Sequence, residues 1–136
     1  MNGSSGYIEI EHTADCELHI WAPDMQGLLI QAAIGMYETT GTTLAGNYRF
    51  IHDFVITFQD RESVLVDFLS ELLFLAEDQH LGFDNYQILV NQSTWRFVVE
   101  GGKIVEQSKV IKAVTYHGIK IRETDERLEV NIVFDI

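Results

Sequence analysis

From Asp60 to Ala76 the apolar residues return at helical spacing. Val64, Leu65, Phe68, Leu69, Leu72, Leu75 and Ala76 line one side of a helix and leave the other side polar. Asp60 is a fitting N-cap, Glu62 suits the positive end of the first turn, and the helix should stop before Gly82. A single apolar stripe has to be covered by another layer, so this helix implies a partner element. A second stripe follows Pro23-Asp24. Met25, Leu28, Leu29, Ala32, Ala33 and Met36 repeat at the same period, and Thr39 to Gly41 ends it.

Elsewhere the period drops to two. Tyr7–His12 reads as a short strand, and in the next one Cys16, Leu18, Ile20 and Ala22 share a face opposite Glu17, His19 and Trp21. Tyr48–Gln59 carries Phe50, Phe54, Ile56 and Phe58 on one face, with His52 interrupting. Tyr86–Asn91 and Thr94–Glu100 are joined by a tight Gln92-Ser93 turn, after which Gly101-Gly102 is expected to break the ladder. A long strand is expected over Val110–Arg122. A turn at Thr124-Asp125-Glu126 makes it the antiparallel partner of Leu128–Ile136. In that last strand Leu128, Val130, Ile132 and Phe134 face one way, and Glu129, Asn131, Val133 and Asp135 the other. The expected fold is α+β, a mainly antiparallel sheet of about seven strands with both amphipathic helices packed on one face.

A length of 136 residues suits one core, so the expectation is a single domain over residues 7–136 behind a flexible tail at residues 1–6. That tail has neither the basic region nor the apolar region of a secretory signal, and no apolar run approaches the ~20 residues of a membrane span. One cysteine rules out an internal disulfide and fits a reducing compartment, so the protein is read as cytoplasmic. Nine basic against 21 acidic residues leave a net charge of −12. Such a chain repels a polyanion, which argues against direct nucleic-acid binding and favours a basic protein surface or a cation. Acidity that merely keeps the protein soluble is the plainer reading of the same number.

The chemistry gathers at the two ends of the chain. Asp15 follows His12-Thr13-Ala14 between two expected strands, and Asp135 lies one residue before Ile136. If pairing brings these strand ends together, two like charges meet unless a cation or proton intervenes. The carbonyls of Asp135 and Ile136 and the terminal carboxylate add oxygen donors of the kind a hard divalent cation takes. Two solvated strand-end acids are the alternative. Lys112 can pair with one of these acids or be an ordinary surface lysine, and His12 can brace the turn before Asp15 or ligate metal. His12, Cys16 and His19 are spaced like zinc ligands, but Cys16 and His19 point to opposite faces of one strand. Cys16 therefore reads as a small core residue. The sequence contains no Walker loop, dinucleotide fingerprint, HExxH pair or GxSxG elbow.

Several of these segments together resemble the archease family. They are His12-Thr13-Ala14-Asp15, Ala32-Ala33-Ile34-Gly35-Met36, the helix start near Glu62-Ser63, Ile111 to His117, and the ending Phe134-Asp135-Ile136. The resemblance runs from about Tyr7 to Ile136, with one departure at Cys16-Glu17, where the family pattern calls for apolar or small residues. It implies a non-catalytic activator of an RtcB-type tRNA-splicing RNA ligase, speeding guanylylation of the ligase and allowing repeated turnover. It also implies a metal site at Asp15, Asp135 and Ile136 and a functional lysine at Lys112. Calcium is the ion in family structures, with Mg2+ or Mn2+ as physiological alternatives. The second function to weigh is a general interaction or chaperone-like module acting on RNA-modifying enzymes such as RNA methyltransferases. A metal-dependent phosphoesterase comes third, since no base or nucleophile accompanies the acids.

Overall fold

The computed structural model describes residues 4–11, 15–116 and 118–136. In chain order the elements are β1 (Gly6–Glu11), β2 (Asp15–Ala22), α1 (Met25–Thr39), β3 (Thr43–Leu44), β4 (Phe50–Thr57) and α2 (Arg61–Gln79). They continue with β5 (Leu81–Asn91), β6 (Thr94–Glu106), β7 (Ala113–Val114), β8 (Arg122–Glu123) and β9 (Leu128–Asp135). Both helices start where the sequence places them, after Asp24 and after the Asp60 cap. Asp24 accepts a hydrogen bond from the Gly27 amide and Asp60 one from the Ser63 amide, each at 2.7 Å. A cap of this kind is worth about 1 kcal/mol. The α2 helix ends at His80, whose left-handed backbone (φ 57°, ψ 41°) lets its amide donate to Ala76 at 3.1 Å.

All strand pairs are antiparallel, and they form two sheets where one was expected. A five-stranded sheet runs β1-β2-β9-β7, with β8 also on β9. In the four-stranded sheet β6 is central, flanked by β4 and β5 along the same residues and paired with β3 at its far end. The α1 helix packs on β1 and β2, and α2 on β4, β5 and β7. The inward residues expected on β2 and β9 are indeed buried, and they meet both helix stripes and Trp95, Phe97 and Val99 of β6 in one core. Phe97 stacks at 4.9 Å on Phe68 of α2 and at 5.0 Å on Phe54 of β4.

Two expected features are corrected. Gly101-Gly102 does not break the ladder. The β6 strand runs through it, with Gly101 opposite Phe83 and Gly102 opposite Gly82. A Cβ on Gly101 would lie 1.8 Å from the Gly82 carbonyl oxygen, so these glycines permit a close backbone approach beside the bulge at Phe83/Asn85. The segment Val110–Arg122 is not one long strand. Only Ala113–Val114 and Arg122–Glu123 pair, at opposite ends of β9. Between them the chain turns, with the Ile119 amide donating to Tyr116 at 3.2 Å and Gly118 at φ 77°. Glu62 of α2 takes the Ile121 amide at 2.9 Å, and the hydroxyls of Ser63 and Tyr116 lie 2.9 Å apart. Ile111 and Ile121 are buried, but mostly outside a ladder. The apolar pattern of this segment reports burial, not pairing.

Candidate metal site at the paired strand ends

Antiparallel pairing of β2 with β9 puts Cys16, Leu18, Ile20 and Ala22 directly opposite Phe134, Ile132, Val130 and Leu128. That apolar match sets the register, because a slip by one residue would turn every side chain over. The same register makes Asp15 the direct cross-strand partner of Asp135. Both lie on the face turned away from the buried Phe134, where opposed Cβ atoms stand about 4.5–5.5 Å apart. Asp135 is exposed, whereas Oδ1 of Asp15 is shut off from solvent.

The other flank of β9 fixes the same spot. Ala113 of β7 lies opposite Asp135, and the Lys112 amide donates to the Asp135 carbonyl at 2.7 Å. Lys112 also lines a groove of about 380 Å³ with Leu73 and Ala76 of α2 and His80 just after it, and its side chain makes no ion pair with a described residue. So Lys112 holds this site through its backbone. Ile136 follows with its side chain 37% exposed. His12, Thr13, Ala14 and His117 lie outside the described residues.

Both helices end toward this pole. The Thr40 carbonyl after α1 accepts from the amides of Ser108 (2.8 Å) and Lys109 (3.2 Å). Lys109 Nζ reaches Glu9 at 3.8 Å, and Glu9 accepts a weak hydrogen bond from the Cys16 thiol. The end of α2 shares its groove with Lys112. Neither helix carries a basic residue in its last turn, so the negative ends of both dipoles add to the field of the carboxylates. Burial, with Glu9 alongside, pushes the Cys16 thiol up from its ordinary value, as befits a core cysteine and not a thiolate ligand.

The donor set is all oxygen: two opposed carboxylates and the main-chain oxygens at the end of β9. It fits a hard cation such as Ca2+ or Mg2+ better than zinc. Among the described residues no three His, Cys, Asp or Glu side chains cluster to hold a metal. Such an ion would keep water in several positions, or take ligands from a bound partner.

Beyond the acid pair the same face carries a polar chain that sequence reading left unassembled. Asn131 donates to Glu17 at 2.9 Å and lies 2.6 Å from His19 Nδ1. His19 Nε2 lies 3.3 Å from Glu129, which accepts from Arg127 at 2.8 Å. The Arg127 hydrogen bond holds the Glu129 carboxyl below its usual range. The alternation of Glu17 and His19 and of Glu129 and Asn131 was the available signal, but the register between the two strands was needed to join them.

The archease protein family matches residues 7–136 of this sequence. The chain belongs to the archease family. It is 27% identical to the archease of Methanothermobacter thermautotrophicus, over 96% of this chain and 99% of that one. It is 26% identical to the archease of Pyrococcus furiosus, over 93% and 95%. Two solved structures share the fold. The crystal structure of a Thermotoga maritima archease, described as a possible chaperone, superposes with a TM-score of 0.71 at 24% identity, covering 93% of this chain and 94% of that one. The solution structure of a Methanobacterium thermoautotrophicum protein gives 0.72 at 23%, covering 96% and 99%.

Proposed function

We propose that this archease binds a divalent cation at Asp15 and Asp135 and acts on a protein partner, activating an RtcB-type RNA ligase. The observation that carries the reading is the direct cross-strand opposition of Asp15 and Asp135, on a chain of net charge −12. Like charges directly opposite each other are unfavourable in a sheet, and a cation turns that cost into affinity. The residues that would hold it are Asp15, Asp135 and the main chain at Ile136. The amide of Lys112 keeps the end of β9 in position through its bond to the Asp135 carbonyl. When bound, the ion supplies positive charge that can offset nucleotide phosphates during guanylylation of the ligase. The acidic body favours docking against a basic surface such as the mouth of a nucleotide site.

The test is GMP labelling and ligation turnover by the cognate ligase in defined metal, with and without this protein. Folded Asp15→Ala and Asp135→Ala variants should lose the stimulation. Full stimulation by both would sink the proposal. The chaperone-like reading is favoured by the exposed apolar residues Ile8 (57%), Ile51 (71%) and Val110 (67%). It predicts binding to unrelated clients that is indifferent to both acids. No helix among the described residues is long and apolar enough to cross a membrane.

A further inference from the structure

The β4 strand lies at the edge of its sheet and pairs only with β6 among the described strands. An open edge is a row of unpaired amides and carbonyls on which another strand can be laid. This edge borders a groove of about 550 Å³. Residues 54–57 of β4 form one wall, and Asp67, Ser70 and Glu71 of α2 form the other. On the side toward α2, Phe54 and Ile56 pack against the core but are only half-buried. On the outward side Ile51 (71%) and Val55 (56%) are exposed. The helix wall continues to Phe74, two turns after Asp67 on the same stripe and itself exposed. Charge divides the same two sides. Outward, Asp53 is matched by Arg96. Toward α2, neither Asp67 nor Glu71 meets a lysine or arginine among the described residues, and Glu71 has only His52, at 2.9 Å.

We infer that this groove takes an extended basic segment of a partner protein, added to β4 as a further strand. The two-residue period of a strand dictates the chemistry of that segment. Side chains turned toward α2 are lysines or arginines, whose stems cover Phe54 and Ile56 and whose charged ends reach Asp67 and Glu71. Those turned outward are apolar and lie beside Ile51 and Val55, where the one acid is already matched. A net charge of −12 draws such a segment in and repels an acidic strand or a second copy of this chain. The groove belongs to the other sheet from the Asp15–Asp135 pair and needs no cation there.

Calorimetric titration of the full chain with a capped peptide of about seven residues, alternating lysine with valine, reads this directly. Saturable binding of one peptide per chain is expected, and no binding overturns the inference. Two substitutions separate the groove from attraction to net charge alone. Asp67→Lys should weaken binding about tenfold. Glu126→Lys makes the same change in net charge at an exposed position on the turn before β9, and should leave binding within about twofold. Equal losses in the two variants, or no loss in Asp67→Lys, overturn the inference. Strand addition is tested through the peptide backbone, because alternate amides of an added strand face β4. Of two peptides, one N-methylated on its lysines and one on its valines, at least one should lose binding, and retention by both overturns the inference. Hydrogen exchange of the unaltered protein is the check if a variant folds poorly. The peptide should protect amides of β4 and not of β5. Protection of β4 that rises with protein concentration in the absence of peptide means that a second copy takes the edge, and overturns the basic occupant.

Discussion

The four-stranded sheet and the Asp15–Asp135 end of the five-stranded sheet handle their acids in opposite ways. In the four-stranded sheet Arg96 donates to Asp53 through two nitrogens, and Arg49 joins Asp84 to Glu100. The Arg96 hydrogen bonds hold the Asp53 carboxyl below its usual range. At the end of the five-stranded sheet Asp15 faces Asp135, and Asp135 makes no ion pair with a lysine or arginine among the described residues. On the four-stranded sheet Asp53, Asp84 and Glu100 each carry a guanidinium. At the Asp15–Asp135 pair the proposed cation would play the part that the guanidiniums play on the four-stranded sheet.

The contrast can be broken by substitution and by metal. Gly101→Ala should have the largest effect, destabilising by more than about 4 kcal/mol or preventing folding, because a Cβ there overlaps the Gly82 carbonyl. Chemical denaturation read by circular dichroism measures it, and an unchanged midpoint would refute the close strand approach. Next comes metal. At a hundred times the dissociation constant, Ca2+ or Mn2+ should stabilise the protein by about 2.7 kcal/mol, and Asp135→Asn should abolish the gain. A thermal-shift titration decides this. A shift that survives in Asp135→Asn would place the ion elsewhere.

The smaller effects sharpen the comparison. In chelator, Asp135→Asn should leave stability unchanged or raise it by about 0.2–1 kcal/mol, by removing a like-charge pair. Asp53→Asn should lower the melting temperature slightly, and less so at high salt. Acidification gives the last test. Glu129 and Asp53 titrate lower in the folded chain than when unfolded, so their contribution is present above the ordinary carboxylate range and fades as pH falls through the folded values. Glu129→Gln should flatten that part of the stability–pH profile, and an identical profile would mean that the Arg127–Glu129 bond contributes nothing.

Much of the architecture was legible along the chain. The Asp60 cap, the helix start at Pro23-Asp24, both helix stripes, the Gln92-Ser93 turn and the alternating faces of β2 and β9 stand where the local pattern puts them. Local pattern failed where a residue answers to distant backbone. Gly101 reads as a breaker until Gly82 is seen against it, and Ile111 and Ile121 read as strand until α2 is seen covering that segment. Lys112 was legible as a residue of interest, but not as one whose amide bonds the Asp135 carbonyl and which shares a groove with the end of α2.

The sequence by itself determined the two helices, the face on which each alternating residue lies, the family, and the acidity that disfavours a polyanion. Those follow from period and charge, which are properties of neighbours along the chain. Only the tertiary structure decided that Asp15 stands across from Asp135, that the sheets are two, and that β4 is left as an edge. Pairing and register depend on which apolar surfaces meet in the core, and periodicity fixes a face without naming its neighbour.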